Sequence, residues 1–311
     1  MLAPSVSELI AQEFSRNLGL VSAATQERLL ATRVAVAGAG GVGGIHLLTL
    51  ARLGVGRFAI ADMDRFERAN VSRQFGATRS SVGRNKAEVM AEMLYDINPA
   101  ADITIVTQPI SADNVVEFLQ GADYYVDGIE FFEIGARRSL FQQARRQGIY
   151  ALTAAPLGFG ATLQVFAPQG MSFDAYFGIA EGMSYLEMLA AFAAGLAPRP
   201  YHLKYLDLNY VNLAERRGPA VAPACTLAAS LIATSIARLV ADLPVKAVPH
   251  YTQLDLHRSK FRQGYLWLGG RNPLQRLKRR FILERFQRAM TRAAAPTPTS
   301  GNDPADPERR A

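Results

Sequence analysis

The sequence predicts an α/β fold: a three-layer, Rossmann-like and mostly parallel sheet with helices on both faces, plus a crossover segment and a basic C-terminal extension. Three observations carry that expectation. An apolar strand runs directly into glycines in residues 33–44, "RVAVAGAGGVGG". Strand-like and helix-like hydrophobic periods then alternate through the first half of the chain, which is the signature of βαβ units. The 311 residues, 49% of them hydrophobic, suffice for one large core with a smaller attached lobe.

Residues 1–26 form an N-terminal segment that carries Arg16 and is expected to be only loosely tied to its own core. A strand is expected at 33–37, followed by the glycines and the apolar helical run "IHLLTLARLG"; a second strand at 58–61 ends in "DMD". Ala87, Met90, Ala91 and Leu94 then fall at helical spacing in "KAEVMAEMLYDI", giving a helix with one apolar face. Strands at 103–106 and 124–126, a helix at 134–146, and strands near 149–153 and at 162–166 complete a nucleotide-binding unit over 27–170. Residues 171–217 are less regular, with "LAPRPYH" as the clearest break; with the apolar helix after Pro223 they read as a crossover, substrate-facing segment that closes by 257. A basic segment occupies 258–295. The tail from 296, "PTPTSGNDPADPERRA", has almost nothing to bury and is expected to be disordered.

A single cysteine, Cys225, excludes an intramolecular disulfide and a cysteine-built zinc site. The N-terminus lacks the basic start and apolar run of a secretory signal, so a reducing, cytoplasmic setting is expected. Residues 218–237, "GPAVAPACTLAASLIATSIA", are uncharged and long enough to span a bilayer, yet prolines, hydroxyl residues and alanines dilute them. They read as a buried helix, and no transmembrane segment is expected. Within the net charge of +7, residues 258–292 hold eleven Lys/Arg against Glu284 alone, which leaves −3 for everything else. Such a segment suits RNA, anionic lipid or an acidic partner, or is a solvated helix.

"GAGGVG" fits G-x-G-x-x-G at Gly38, Gly40 and Gly43, with Asp62 at the end of the next strand in place for ribose hydroxyls. That much suits NAD or FAD equally well. The following stretches "ANVSRQF" and "VGRNKAEVM" add Arg73 and Lys86. A dinucleotide pyrophosphate carries about two negative charges, which backbone amides manage. A triphosphate carries about four, and transfer of its α-phosphorus recruits cations. The pair of cations therefore points to a nucleoside triphosphate.

The doubled glycines, D-x-D, N-x-x-R-Q, the lysine after "VG" and I-N-P together resemble the adenylation domain of the ThiF/MoeB/HesA family, bacterial relatives of ubiquitin-activating enzymes. Weaker similarity runs through "EFSRNLGL", "YYVDGIE", "GFGATLQVF" and "APACTLAASLIATSIARL", covering most of residues 13–260. The resemblance implies ATP on the glycine loop and a substrate oxygen that attacks the α-phosphate, releasing pyrophosphate. It places Gly38, Gly40, Gly41 and Gly43 on the phosphates and Asp62 on the ribose, with Asp64 beside it. Asn70, Arg73, Gln74 and Lys86 fall to the triphosphate and its transition state, and Arg16 to a partner's ATP across a homodimer. Asp127 and Glu130 of "VDGIE" would meet magnesium and the α-phosphate, Glu130 standing where the family has an aspartate ligand to Mg2+. No zinc is implied, because the C-x-x-C pairs are missing; the family's crossover cysteine is missing too. Cys225 is expected as a small buried hydrophobe, and His46, His202, His250 and His257 show no metal-ligand spacing.

The expected function is an ATP-dependent adenylyltransferase acting on the C-terminal carboxylate of a ubiquitin-like carrier protein or peptide. One alternative is an RNA-modifying enzyme similar to the tRNA threonylcarbamoyladenosine dehydratases, to whose branch "DMD" and "VGRNKAEVMAE" are similar; its tRNA would meet the basic segment. An NAD-dependent oxidoreductase is a further alternative, which leaves Arg73, Gln74 and Lys86 without a shared task. The substitution at Glu130 also admits a nucleotide-binding regulator without turnover.

Overall fold

Val34 and Val36 point to one side of the first strand and Ala35 and Ala37 to the other, and this alternation sorts the molecule into layers. The computed structural model describes residues 5–294; the tail expected to be disordered lies outside them. Eight strands form one sheet: β1 (Arg33–Ala37), β2 (Arg57–Ala61), β3 (Asp102–Val106), β4 (Tyr124–Asp127), β5 (Tyr150–Leu157), β6 (Gly160–Phe166), β7 (His250–Asp255) and β8 (Lys260–Tyr265). Their order is β3-β2-β1-β4-β5-β6-β7-β8. The first five are parallel, and β6, β7 and β8 each pair antiparallel to the strand before.

The helices are α1 (Val6–Ala11), α2 (Ala23–Ala31), α3 (Gly41–Leu53), α4 (Lys86–Ile97), α5 (Val115–Phe118), α6 (Ile134–Arg146), α7 (Phe173–Phe177), α8 (Tyr185–Leu196), α9 (Ala222–Val240) and α10 (Pro273–Ala294). One face of the sheet, with Val34, Val36 and Leu152, packs on α2, α3, α4 and α9 through Leu29, Leu47, Leu50, Met90, Leu94 and Ile232. The other, with Ala35, Ala59 and Ala151, packs on α5 to α8 through Phe118, Leu140, Phe141, Phe173 and Phe192. Three layers result, as the alternation predicts.

Two expectations are revised. Residues 171–217 contain α7 and α8, whose buried Phe173, Tyr176, Phe177 and Phe192 belong to the second core. The run "MLAAFAAGL" shows no polar face because α8 is covered on several sides, and a helix buried all round has no period to read. The boundary at 257/258 falls in the turn between β7 and β8, so the basic stretch starts inside the sheet. The apolar helix expected after Pro223 begins at Ala222. Pro223 sits in the first turn of α9, where a missing N–H is harmless. Among the described residues α9 is the one helix long and apolar enough to cross a membrane; it buries Cys225, Ala228, Ala229 and Ile232 against α3, β5 and β6.

Candidate functional site

The chain leaves β1 toward one face of the sheet, into α3, and leaves β4 toward the other, into α6. Between the carboxyl ends of β1 and β4 the sheet therefore opens into a crevice, the usual ligand position of an open α/β sheet. The glycines build its floor. Gly38 has φ +87°, and a methyl group there would collide with the carbonyl of Gly128 just past β4. A methyl on Gly43 would collide with the carbonyl of Gly38, so these two glycines let α3 and the ends of β1 and β4 touch backbone to backbone. Gly40 and Gly41 are open by contrast: a Cβ would stand 3.7 Å from the Gln74 amide and 3.6 Å from Cys225 Sγ. Gly40, the N-cap residue, has no side chain with which to cap α3, so the first amides of the helix face the crevice with the positive end of the helix dipole. That is an anion site.

Asp62 closes one wall. Its carboxylate accepts from the Ala39 N–H at 2.7 Å and the Asp64 N–H at 2.9 Å, which ties the end of β2 to the glycine loop. Burial raises its pKa above the ordinary carboxylate value, opposed by those two amides and by the Lys86 charge. A carboxylate has about four acceptor positions, so capacity for ribose hydroxyls remains. Lys86 is buried at the first turn of α4, and its ammonium rests on Asp64 at 3.0 Å while Asp64 itself is largely exposed. Asn85 fixes that turn: its Oδ1 caps Glu88 N–H at 3.1 Å and its amide donates to Asp62 O at 3.1 Å.

Asn70 is buried, and its Oδ1 accepts from Glu67 N–H at 3.0 Å, shaping the 3-10 turn over Arg68–Asn70 that leads to Arg73 and Gln74. Arg73 is half-buried, donates to Ala69 O at 3.0 Å, and its charge reaches Cys225. Gln74 Oε1 is buried without a partner among the described residues, an acceptor left for a ligand donor beside Gly40. Cys225 is buried beneath Gly41, and burial pushes its thiol up to about 11. Buried surroundings were expected; the position under the glycine loop was not.

Two expected site residues are tied into the surrounding structure. Asp127 does not face the crevice as a free ligand. Its carboxylate is buried against Arg137 Nε at 2.8 Å and Thr153 Oγ1 at 2.9 Å, with Ile129 N–H at 3.2 Å. Arg137 also donates to the carbonyls of Ile129, Glu130 and Phe131 and stacks on Phe192, so the pair holds the loop after β4 in shape. The second is Arg16, expected on a loosely tied segment. Phe14 is buried and Asn17 donates to Leu53 O at 3.2 Å, which pins the segment to the C-terminal end of α3. The glycine loop is at the opposite end of that 13-residue helix, about 20 Å away at 1.5 Å per residue.

Glu130 is exposed at the rim of the crevice. Desolvation raises its pKa, and its Oε2 accepts from Phe132 N–H at 3.3 Å. Among the described residues no three His, Cys, Asp or Glu side chains converge on a metal position. Magnesium is nevertheless commonly held by one or two carboxylates plus phosphates and water, and Glu130 fits the part of a single carboxylate ligand. Asp127, spent on Arg137, does not.

Sequence reasoning missed Arg137, Asn85 and Gly128. Arg137 had a signal: it falls on the apolar stripe of α6 with Ile134, Leu140, Phe141 and Ala144, where a charge needs a buried partner. Asn85 followed by Glu88 is an N-cap pattern.

The ThiF family profile matches residues 14–266. The chain is similar to the tRNA threonylcarbamoyladenosine dehydratase of Escherichia coli (strain K12), 32% identical over 154 residues, covering 49% of this chain and 57% of that protein. It is also similar to the sulfur carrier protein adenylyltransferase of Thermus thermophilus, 36% identical over 139 residues, covering 45% and 48%. The chain thus spans about half the length of the curated relatives it matches. The crystal structure of E. coli MccB with ATP shares the fold, with TM-score 0.57 and 20% identity, covering 79% of this chain and 66% of that one.

Proposed function

The chain belongs to the ThiF family, and we propose on that premise that it is an ATP-dependent adenylyltransferase which activates a carboxylate as its acyl-adenylate. The observation that carries this reading is the meeting of two features at one crevice: the uncapped, glycine-floored start of α3, and a buried lysine held by a single exposed carboxylate. A dinucleotide needs the first and has no use for the second. In this reading the α3 amides receive the phosphates and Asp62 the ribose hydroxyls. Lys86 exchanges Asp64 for the triphosphate, and Arg73 with Lys86 neutralises charge as the α-phosphorus is attacked. The substrate carboxylate oxygen forms the new O–P bond, and the bond to pyrophosphate breaks. Glu130 would hold magnesium, which supplies further charge neutralisation on the phosphates.

The favoured substrate is the C-terminal carboxylate of a ubiquitin-like carrier protein or peptide, supported by the similarity to a sulfur carrier protein adenylyltransferase. The similarity to a tRNA dehydratase supports tRNA as the second reading. A homodimer is part of the proposal: exposed Arg16, pinned far from its own glycine loop, would serve a partner's site. The cytoplasm, where ATP is abundant, is the proposed location. A thiol pushed up to about 11 is almost wholly protonated near neutrality, so activation would proceed without an enzyme thioester. Pyrophosphate exchange tests the reading. Exchange stimulated by a carrier ending in a free carboxylate is expected; exchange stimulated by tRNA alone would move the assignment to the second reading, and none with either would remove both.

A further inference from the structure

Helix α10 carries charge and apolar surface on its outward side, and nothing in the adenylation reading uses either. Its inner side is fixed: Gln275 is buried, Lys278 Nζ donates to Pro198 O at 2.8 Å, and Arg279 donates to Gly178 O at 3.0 Å. The other side is thereby held outward. There Leu274, Leu277 and Phe281, spaced by three and four, remain 67%, 64% and 56% exposed. Trp267 and Leu268, in the turn leading to the helix, are also exposed. Arg276, Arg280, Arg285 and Arg288 flank the strip, all exposed. Arg285 lies over the Phe281 ring at 4.7 Å, and Glu284 is the single acid from residue 258 to 292.

We propose that this face of α10 docks on an anionic lipid bilayer, lying in the headgroup plane with Leu274, Leu277 and Phe281 inserted and the arginines on lipid phosphates. The combination decides among occupants. An exposed apolar strip loses its contact with water at the headgroup–acyl boundary, and the flanking cations match the negative surface potential of anionic leaflets. An RNA partner would satisfy the arginines and gain nothing from three large apolar side chains beside its phosphates. A second copy of the face would bring the same excess of arginines against itself, with Glu284 as its single acid to offset them. The proposal does not rest on the adenylation reading. Phosphates held by α10 are separate from those held at α3.

Flotation of the full chain with vesicles of phosphatidylcholine, with and without about 30% phosphatidylglycerol, tests it. Binding to the anionic vesicles, weakened as salt shortens the Debye length below about 10 Å, is expected, with little on phosphatidylcholine alone. Leu277→Ser with Phe281→Ser should reduce binding roughly tenfold or more, and Arg276→Glu with Arg280→Glu by a similar factor. Both pairs are exposed, so an unchanged melting temperature separates lost docking from lost folding. Equal binding by the apolar variant would overturn insertion. Binding of tRNA but not of anionic vesicles, or a lipid-independent dimer abolished by Leu277→Ser with Phe281→Ser, would overturn the proposal in favour of the other occupants.

Discussion

Replacing Arg137 with Met removes the cation from a buried ion pair while keeping most of the side-chain volume. Asp127 and Arg137 side chains are 2% and 3% exposed, so the carboxylate left behind has no water to turn to. It keeps Thr153 Oγ1 at 2.9 Å and Ile129 N–H at 3.2 Å, two neutral donors for a full charge. The carbonyls of Ile129, Glu130 and Phe131 lose a donor as well. Breaking a buried pair from one side costs about 3–5 kcal/mol. At roughly 2–4 °C per kcal/mol for domains of this general size, the melting temperature should fall by roughly 6–20 °C. Circular dichroism melts measure it. Arg28→Ala, which breaks the solvent-exposed pair with Asp242, should leave the midpoint nearly unchanged and serves as the control. Adding Asp127→Asn to Arg137→Met removes the stranded charge and should recover part of the loss. A melt for Arg137→Met no lower than for Arg28→Ala would refute the structural assignment of Asp127 and return it to the crevice as a ligand.

Gly43→Ala should lose more than about 2 kcal/mol in urea unfolding, because its methyl meets backbone rather than a movable side chain, while Gly41→Ala should stay within about 0.5 kcal/mol. His46 is buried without hydrogen-bond partners among the described residues, and burial lowers its pKa from 6.5 to about 3. The unfolded chain therefore binds a proton that the folded chain refuses. Stability should be complete above about pH 6.5 and fall by up to about 1.4 kcal/mol per unit as pH drops toward 3; His46→Leu should flatten that limb of the unfolding curve. Arg16→Ala and Lys86→Ala chains, each inactive alone, should regain part of the adenylation activity in mixed dimers; no recovery in demonstrably mixed dimers would contradict a shared site.

The strands and the α3 glycines were legible because their signals are local: a run of apolar residues, a turn that only glycine tolerates, a helix opening on amides. The layers followed from the alternation of strands and helices along the chain, and in the structure Val34 and Val36 face one layer and Ala35 and Ala37 the other. What escaped depends on which side chains the folded chain brings together. Asp127 reads as a free carboxylate at a strand end until α6 brings Arg137 to it, and Arg16 reads as loosely held until Asn17 is seen bonded to Leu53, 36 residues away. The helical period of α8 vanished for a related reason, since tertiary neighbours cover the face that would have been polar.

Calorimetry of the wild-type chain with ATP and magnesium, and separately with NAD, bears most directly on the proposed chemistry, because the two ligands ask the same crevice for different charges. ATP should bind and NAD should not, with Lys86→Ala reducing adenylation far more than ATP affinity, since its larger contribution falls in the transition state. Tight binding of NAD with none of ATP would contradict the assignment of Arg73 and Lys86 to a triphosphate and, with it, adenylation itself.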